Sequence, residues 1–177
     1  MLTGLSGVGK TTLAEGLFLK LKEINIASEV IDGDTYRKTI NKDLGFSAGD
    51  RRENIQRLAK LANEKSSQGI VAIVAAINPF EDLRNELAGK YGAKIIWVRC
   101  ELSTLIARDT KGLYQKALLP EDHPDKIWNL SGVNDPYEAP VKADLIIDTS
   151  EATIENATHQ LLNYVLSLIQ ASQSDFV

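Results

Sequence analysis

The chain has 177 residues, 44% of them apolar and 25% charged, with a single cysteine and a formal net charge of −4 at pH 7. Length and composition predict one globular domain over 1–177 whose core needs no disulfide or metal staple, and they exclude disordered and disulfide-rich classes. The acidic balance argues against bulk nucleic-acid binding, the longest apolar run (70–77) is too short to span a membrane, and the lone Cys100 fits a reducing, cytoplasmic setting.

In chain order, the first element is a strand of which Met1 to Thr3 remain, with no basic or apolar leader pattern to suggest a secretory signal. It runs into Gly4-Leu5-Ser6-Gly7-Val8-Gly9-Lys10-Thr11, a full match to G-x-x-x-x-G-K-[ST]. Glycines let successive backbone N–H groups converge on phosphate oxygens, and a helix over Thr11 to Ile24 turns its N-terminus to the same anion. Gly4, Ser6, Gly7, Val8, Gly9, Lys10, Thr11 and Thr12 are therefore expected to hold the phosphates of a nucleoside triphosphate. Lys10 would bridge the terminal phosphates, and the Thr11 hydroxyl would ligate Mg2+.

A second strand, Ser28 to Ile31, leads into Asp32-Gly33-Asp34. Carboxylates at the C-terminal end of a parallel strand face the ligand crevice, so Asp34 is placed to orient an acceptor hydroxyl or to hold magnesium through water. Asn41-Lys42-Asp43-Leu44 begins like a guanine-reading N-K-x-D motif but ends in leucine, which argues against a GTPase. A helix over Asp50 to Ser67 is expected to open on a capping box of Asp50 and Glu53. Arg51 and Asn54, three apart, share one of its faces and suit an oxyanion, whereas Arg52 and Arg57 read as solvated charge.

A third strand, Ile70 to Ile77, precedes Asn78-Pro79, read as an N-cap and first-turn proline for a helix over Phe80 to Tyr91. Strand Ile95 to Val98, with Trp97 as core, and helix Ser103 to Arg108 follow. Residues 111–140 form the one long stretch without a strand and read as a mobile lid. Within it, Leu130-Ser131-Gly132-Val133 fails the transporter signature L-S-G-G-Q. Strand Leu145 to Ile147 and amphipathic helix Ile154 to Ile169 complete the pattern, and 171–177 read as a frayed tail. His123 and His159 lack metal-ligand partners at useful spacing. Near-continuously apolar strands alternating with helices predict an α/β fold: a P-loop-type parallel sheet flanked by helices on both faces, with a mobile lid.

Beyond the phosphate loop and Thr12, the ordered pieces are Asp32-Gly33-Asp34 with Arg37, Leu44-Gly45-Phe46-Ser47, Asp50-Arg51 and Glu53-Asn54-Ile55. Cys100-Glu101, Arg108-Asp109, Lys111-Gly112-Leu113-Tyr114, Lys116-Ala117 and Pro136-Tyr137-Glu138-Ala139-Pro140 follow. With these the chain resembles the adenylylsulfate kinase (APS kinase) family over nearly its whole length. The resemblance implies transfer of the γ-phosphoryl of ATP, with Mg2+, to the ribose 3′-hydroxyl of adenosine 5′-phosphosulfate (APS). The product would be PAPS, in sulfate activation. It implies catalytic roles for Asp34, Lys10 and Lys111 and a metal site at Thr11 and Asp34. Arg37, Arg51 and Asn54 would hold the phosphosulfate and Phe46 would stack on the adenine. Lys111 on the lid would reach the phosphates, and Arg108 would lie near the ATP base or phosphates. Small nucleotides are the implied partners, with a homodimer possible by resemblance alone.

Four departures fall on the acceptor side. Asn78 replaces a family serine and excludes a phosphoserine there. Leu130 replaces a phenylalanine that forms the second face of the adenine clamp, with Trp128 close by in sequence as a substitute ring. The segment 118–129 is longer than the family's usual connection, and Asn134 replaces an aspartate. Two alternatives therefore stay open: a paralogous kinase for another nucleotide-linked acceptor such as cytidine diphosphoramidate, and a nucleotide-binding regulatory module without catalysis. Retention of Lys10, Thr11, Asp34 and Lys111 argues against the second.

Overall fold

The computed structural model describes residues 1–174. Five strands, β1 (Leu2–Thr3), β2 (Ser28–Asp32), β3 (Val71–Ala75), β4 (Ile96–Arg99) and β5 (Leu145–Asp148), form one parallel sheet in the order β2-β3-β1-β4-β5. β1 is only two residues long yet lies at the centre, with Leu2 opposite both Ala75 and Ile96. Its place is held by burial, Leu2 and Thr3 being almost inaccessible, and by ladder bonds just beyond it, Ile96 N–H to the Met1 carbonyl at 2.9 Å and Ala76 N–H to Leu2 at 3.2 Å.

The helices are α1 (Lys10–Glu23), α2 (Gly33–Lys38), α3 (Ala48–Ser66), α4 (Glu81–Tyr91), α5 (Leu102–Arg108), α6 (Leu113–Ala117) and α7 (Ile154–Ser174). Alternation along β3 feeds two cores: Ile73 packs with Leu13, Leu17 and Leu161 of α1 and α7, and Val74 with Ile55, Leu58, Leu83 and Leu87 of α3 and α4. Both faces are thus covered, as a doubly apolar strand requires.

Several boundaries differ from the sequence expectation. α3 is capped by Ser47, whose hydroxyl accepts from the Asp50 N–H at 3.1 Å and donates to the Asp50 carboxylate at 2.7 Å. Asp50 thus takes the third position of the box, not the cap. Asn78 does not cap α4: it is buried in a left-handed conformation at φ 41°, and Phe80 stands at the cap without a side-chain bond. That turn ends β3 at Ala75, short of Ile77. α2 and α6, six and five residues long, fall below the length at which periodicity is readable. Trp97 is half-buried, with the Arg99 guanidinium 5.8 Å from its ring, not core. α7 continues to Ser174, past the Ile169 end expected from the sequence, and 175–177 of the expected frayed tail lie outside the described residues.

Candidate active site

The loop from Gly4 to Gly9 joins β1 to α1 at the C-terminal edge of the sheet. Gly4 has φ 151°, and a Cβ there would overlap the Val98 carbonyl oxygen on the neighbouring strand. Gly9, at φ 96°, precedes α1 without any side-chain cap, so the first N–H groups of the helix stay open to an anion. Lys10 Nζ donates to the loop's own carbonyls, Gly4 at 2.9 Å and Leu5 at 2.7 Å. Burial pushes Lys10 down to about 8, with the Asp34 carboxylate working in the opposite direction. From α6 the buried Tyr114 hydroxyl donates to the Ser6 carbonyl at 2.8 Å. Burial pushes this phenol up to about 12, so it remains a donor.

A cleft of about 630 Å³ opens over this loop, lined by Ser6, Gly7, Gly9, Lys10, Thr11 and Thr12 on one side. Asp32 from the end of β2, Asp34 from α2, Phe46 and Arg51, and Lys111, Ile127, Leu130 and Ser131 from the segment 111–140 line the other. The Thr11 hydroxyl donates to Asp32 at 2.8 Å. Asp32, whose other oxygen caps α2 through Thr35 N–H at 2.9 Å, is thus the carboxylate next to the expected metal ligand. The sequence reading gave that part to Asp34 alone, because a chain reads Asp32 and Asp34 alike until β2 ends between them. Hydroxyl, carboxylate and phosphate oxygens suit Mg2+, which keeps waters and takes few protein ligands. No group of three or more His, Cys, Asp or Glu among the described residues forms a separate metal cage.

Lys111 Nζ donates to Asp34 at 2.8 Å across the cleft. Burial works against the Asp34 carboxylate, but Lys111, Lys10 and Lys38 outweigh it and hold the group below the usual carboxylate range. A smaller cavity of about 60 Å³ adjoins, walled by Asp34, Arg37, Phe46, Arg51, Asn54 and Asn78. Asp34 lines both. Asn78 Oδ1 is buried there without a partner.

The anion-facing side chains differ in how free they are. Arg37 donates to the Gly45 carbonyl at 2.6 Å and lies 4.8 Å over the Phe46 ring, and burial with the neighbouring Arg51 charge pulls its guanidinium below its ordinary value. Arg51, expected to hold substrate, is largely committed to Phe46 and the segment 129–135. It bonds the carbonyls of Phe46 at 3.0 Å and Asn129 at 2.6 Å and the Ser131 hydroxyl at 3.2 Å, and it pairs with Asp135 at 2.9 Å. A guanidinium only 7% exposed must find such partners. Leu130 packs mainly in the core and shows only an edge to the cleft. Trp128 does not replace the missing ring: it is 55% exposed, with Lys126 Nζ 4.7 Å over it. Arg108 stands outside the cleft, bonded to the Thr149 and Ser150 carbonyls at 3.0 and 2.8 Å, while the Thr149 hydroxyl reaches the Val8 carbonyl of the phosphate loop.

Arg84 escaped the sequence reading altogether. It is 1% exposed and ties the start of α4 to the 136–140 segment through the carbonyls of Asn78 at 2.6 Å and Glu138 at 2.5 Å. Its pairing with Glu81 at 2.7 Å, three residues back, follows from helix spacing, but its bond to Glu138, 54 residues away, does not.

The model of the adenylylsulphate kinase family matches residues 1–148. An adenylyl-sulfate kinase of Paraburkholderia xenovorans is 40% identical over 174 residues, covering 97% of this chain and 94% of the relative. A probable adenylyl-sulfate kinase of Halalkalibacterium halodurans is 43% identical over 166 residues, covering 92% and 80%. Among solved structures, the APS kinase of Mycobacterium tuberculosis in complex with AMPPNP and APS superposes with a TM-score of 0.84 at 32% identity, covering 93% of this chain and 94% of that one. A hexameric APS kinase from Thiobacillus denitrificans reaches 0.65 at 28% identity, covering 91% of this chain and 27% of that one.

Proposed function

The chain belongs to the adenylylsulfate kinase family, and we propose that it transfers the γ-phosphoryl of Mg-ATP to the ribose 3′-hydroxyl of APS, giving PAPS. As a member it is an ATP-dependent phosphotransferase with an alcohol group as acceptor. The observation that carries the proposal is the position of Asp34, which lines both the phosphate-loop cleft and the small cavity walled by Arg37 and Arg51. A donor nucleotide in the first and the acceptor's anionic end in the second would bring the two reacting groups to this carboxylate. In a loose phosphoryl-transfer transition state, positioning and charge neutralisation do most of the work. Lys10 and the N-terminus of α1 would carry charge on the transferring group, and Thr11 with Asp32 would hold magnesium, which neutralises the phosphates when bound. Asp34 would orient the hydroxyl, and Lys111 would leave Asp34 for the phosphates. Arg37 and Asn54 would take the phosphosulfate, Phe46 the adenine and Leu130 the edge opposite. Arg51 would act chiefly by holding the lid.

The domain assignment, 1–177 as one kinase unit with a lid over 111–140, belongs to the same proposal, as do cytoplasmic residence and a homodimer. The relative described as hexameric supports self-association. The deciding experiment is ADP release with Mg-ATP and either APS or a cytidine-linked acceptor, for wild type and Asp34→Asn. Turnover on APS alone is expected, with kcat for Asp34→Asn lower by about 10²–10⁴ and the ATP KM little changed. Wild type inert toward APS at any concentration rejects the proposal.

A further inference from the structure

Asn41, in the loop after α2, is 1% exposed and fixed on several sides. Its N–H donates to the Tyr36 carbonyl at 2.9 Å, its carbonyl accepts from Leu44 N–H at 3.1 Å, and its side-chain Nδ2 donates to Asn54 Oδ1 at 3.0 Å. Its own Oδ1 is buried without a partner. A buried orphan carbonyl destabilises a fold, and an apolar side chain would avoid it. What the Asn41 amide supplies in return is one donor, aimed at Asn54.

In the structure Asn41 presents its N–H and Asn54 turns its oxygen toward it, at 3.0 Å, and no hydrogen bond engages Asn54 Nδ2 among the described residues. Asn54 lines the small cavity whose other walls include Arg37 and Arg51. We propose that Asn41 is a positioning residue for the acceptor: its amide locks Asn54 with the N–H donors toward the anion site and the carbonyl away from it. This rests on the reading that the small cavity receives the acceptor's phosphosulfate. An asparagine left free to rotate would present either a donor or a repelling carbonyl to that anion. Asn41 removes the second option without touching substrate.

The test measures KM for APS, KM for ATP, kcat and melting temperature for wild type, Asn41→Asp and Asn41→Ala. Asn41→Asp is nearly isosteric and replaces the donor by an acceptor, so Asn54 reverses and turns its carbonyl to the anion. The APS KM is expected to rise about ten- to a hundredfold, the range of one hydrogen bond to a charged group, with ATP KM and kcat little changed. Asn41→Ala removes the donor without reversing Asn54, so a smaller rise is expected, and this variant decides if the aspartate does not fold. Asp34 and Arg37 on α2 and Arg51 on α3 line the cavity with Asn54, and Lys42 and Asp43 follow Asn41 in the loop, Asp43 being paired with Arg57 of α3 at 2.9 Å. Burial raises the carboxyl of Asn41→Asp, and its protonated form can again donate to Asn54. Its APS KM relative to wild type should therefore fall between pH 8 and pH 6. A purely structural role predicts equal rises in both KM values, a loss of melting temperature in step, and no recovery at pH 6. That pattern, or an APS KM unchanged in both variants while the wild type turns over APS, overturns the inference alone. A wild type inert toward APS overturns the acceptor reading and the inference with it.

Discussion

Lys10 meets the loop carbonyls of Gly4 and Leu5 where a phosphate would otherwise compensate its charge, and desolvation pushes it down to about 8. Below that pH the group is charged in both folded and unfolded protein. Between about 8 and its ordinary value near 10.4, the unfolded chain binds more protons, so stability rises with pH across that window. Binding ATP runs the other way, because the anion favours charged Lys10. The ATP Kd should therefore weaken above pH 8, by up to about tenfold per pH unit. Lys10→Arg, which stays protonated, should flatten that dependence whatever its affinity at pH 7. Calorimetric titration from pH 7 to 9.5 checks this, and a flat wild-type profile removes the Lys10 charge from ATP binding. This part of the site was legible in the chain because its groups are neighbours: loop, lysine and threonine all fall within Gly4 to Thr11. The Arg51 environment was not, since Asn129 and Ser131 lie 78 and 80 residues away and nothing in its own helix announces them.

The helices themselves were legible from periodicity and their ends were not. α3 was expected from Asp50, yet the chain enters it at Ala48 under a Ser47 cap. A Ser-x-x-Asp and an Asp-x-x-Glu box overlap there, and only the extended backbone of Ser47, φ −60° and ψ 160°, selects the first. Ser47→Ala should cost about 1 kcal/mol and lower Tm by about 2–4 °C for a chain of this size. Glu53→Ala removes only an exposed pair with Arg57 at 2.7 Å and should move Tm less. Thermal melts of both variants check the order, and a larger loss at Glu53 returns the cap to Asp50. Short elements fail for a different reason. The two residues of β1 carry no pattern, and their central place in the sheet comes from β3 and β4 on either side.

Across the whole molecule, the segment 111–140, proposed as a lid, is fastened unequally. At its far end Arg84 and Arg51, both buried, hold Glu138, Asp135, Asn129 and Ser131. At its near end the Tyr114 hydroxyl grips Ser6, but the link across the cleft is Lys111 to Asp34, whose side chains are 50% and 64% exposed. An exposed pair of this kind contributes about 0–1 kcal/mol, so the crossing can open without disturbing the anchors. Lys111→Met should therefore leave Tm within about 2–4 °C of wild type, the shift 1 kcal/mol gives in a chain of this size, while kcat falls if Lys111 reaches the phosphates. Asp135→Ala strips the carboxylate from a buried guanidinium that keeps its carbonyl partners. It should cost about 1–3 kcal/mol, a larger fall in Tm, with faster proteolysis around 129–135. Melting curves and limited proteolysis of the two variants, each with and without Mg-ATP, separate the roles. A Lys111→Met protein as destabilised as Asp135→Ala would make the cleft crossing a structural anchor and would count against a lid that opens at that end.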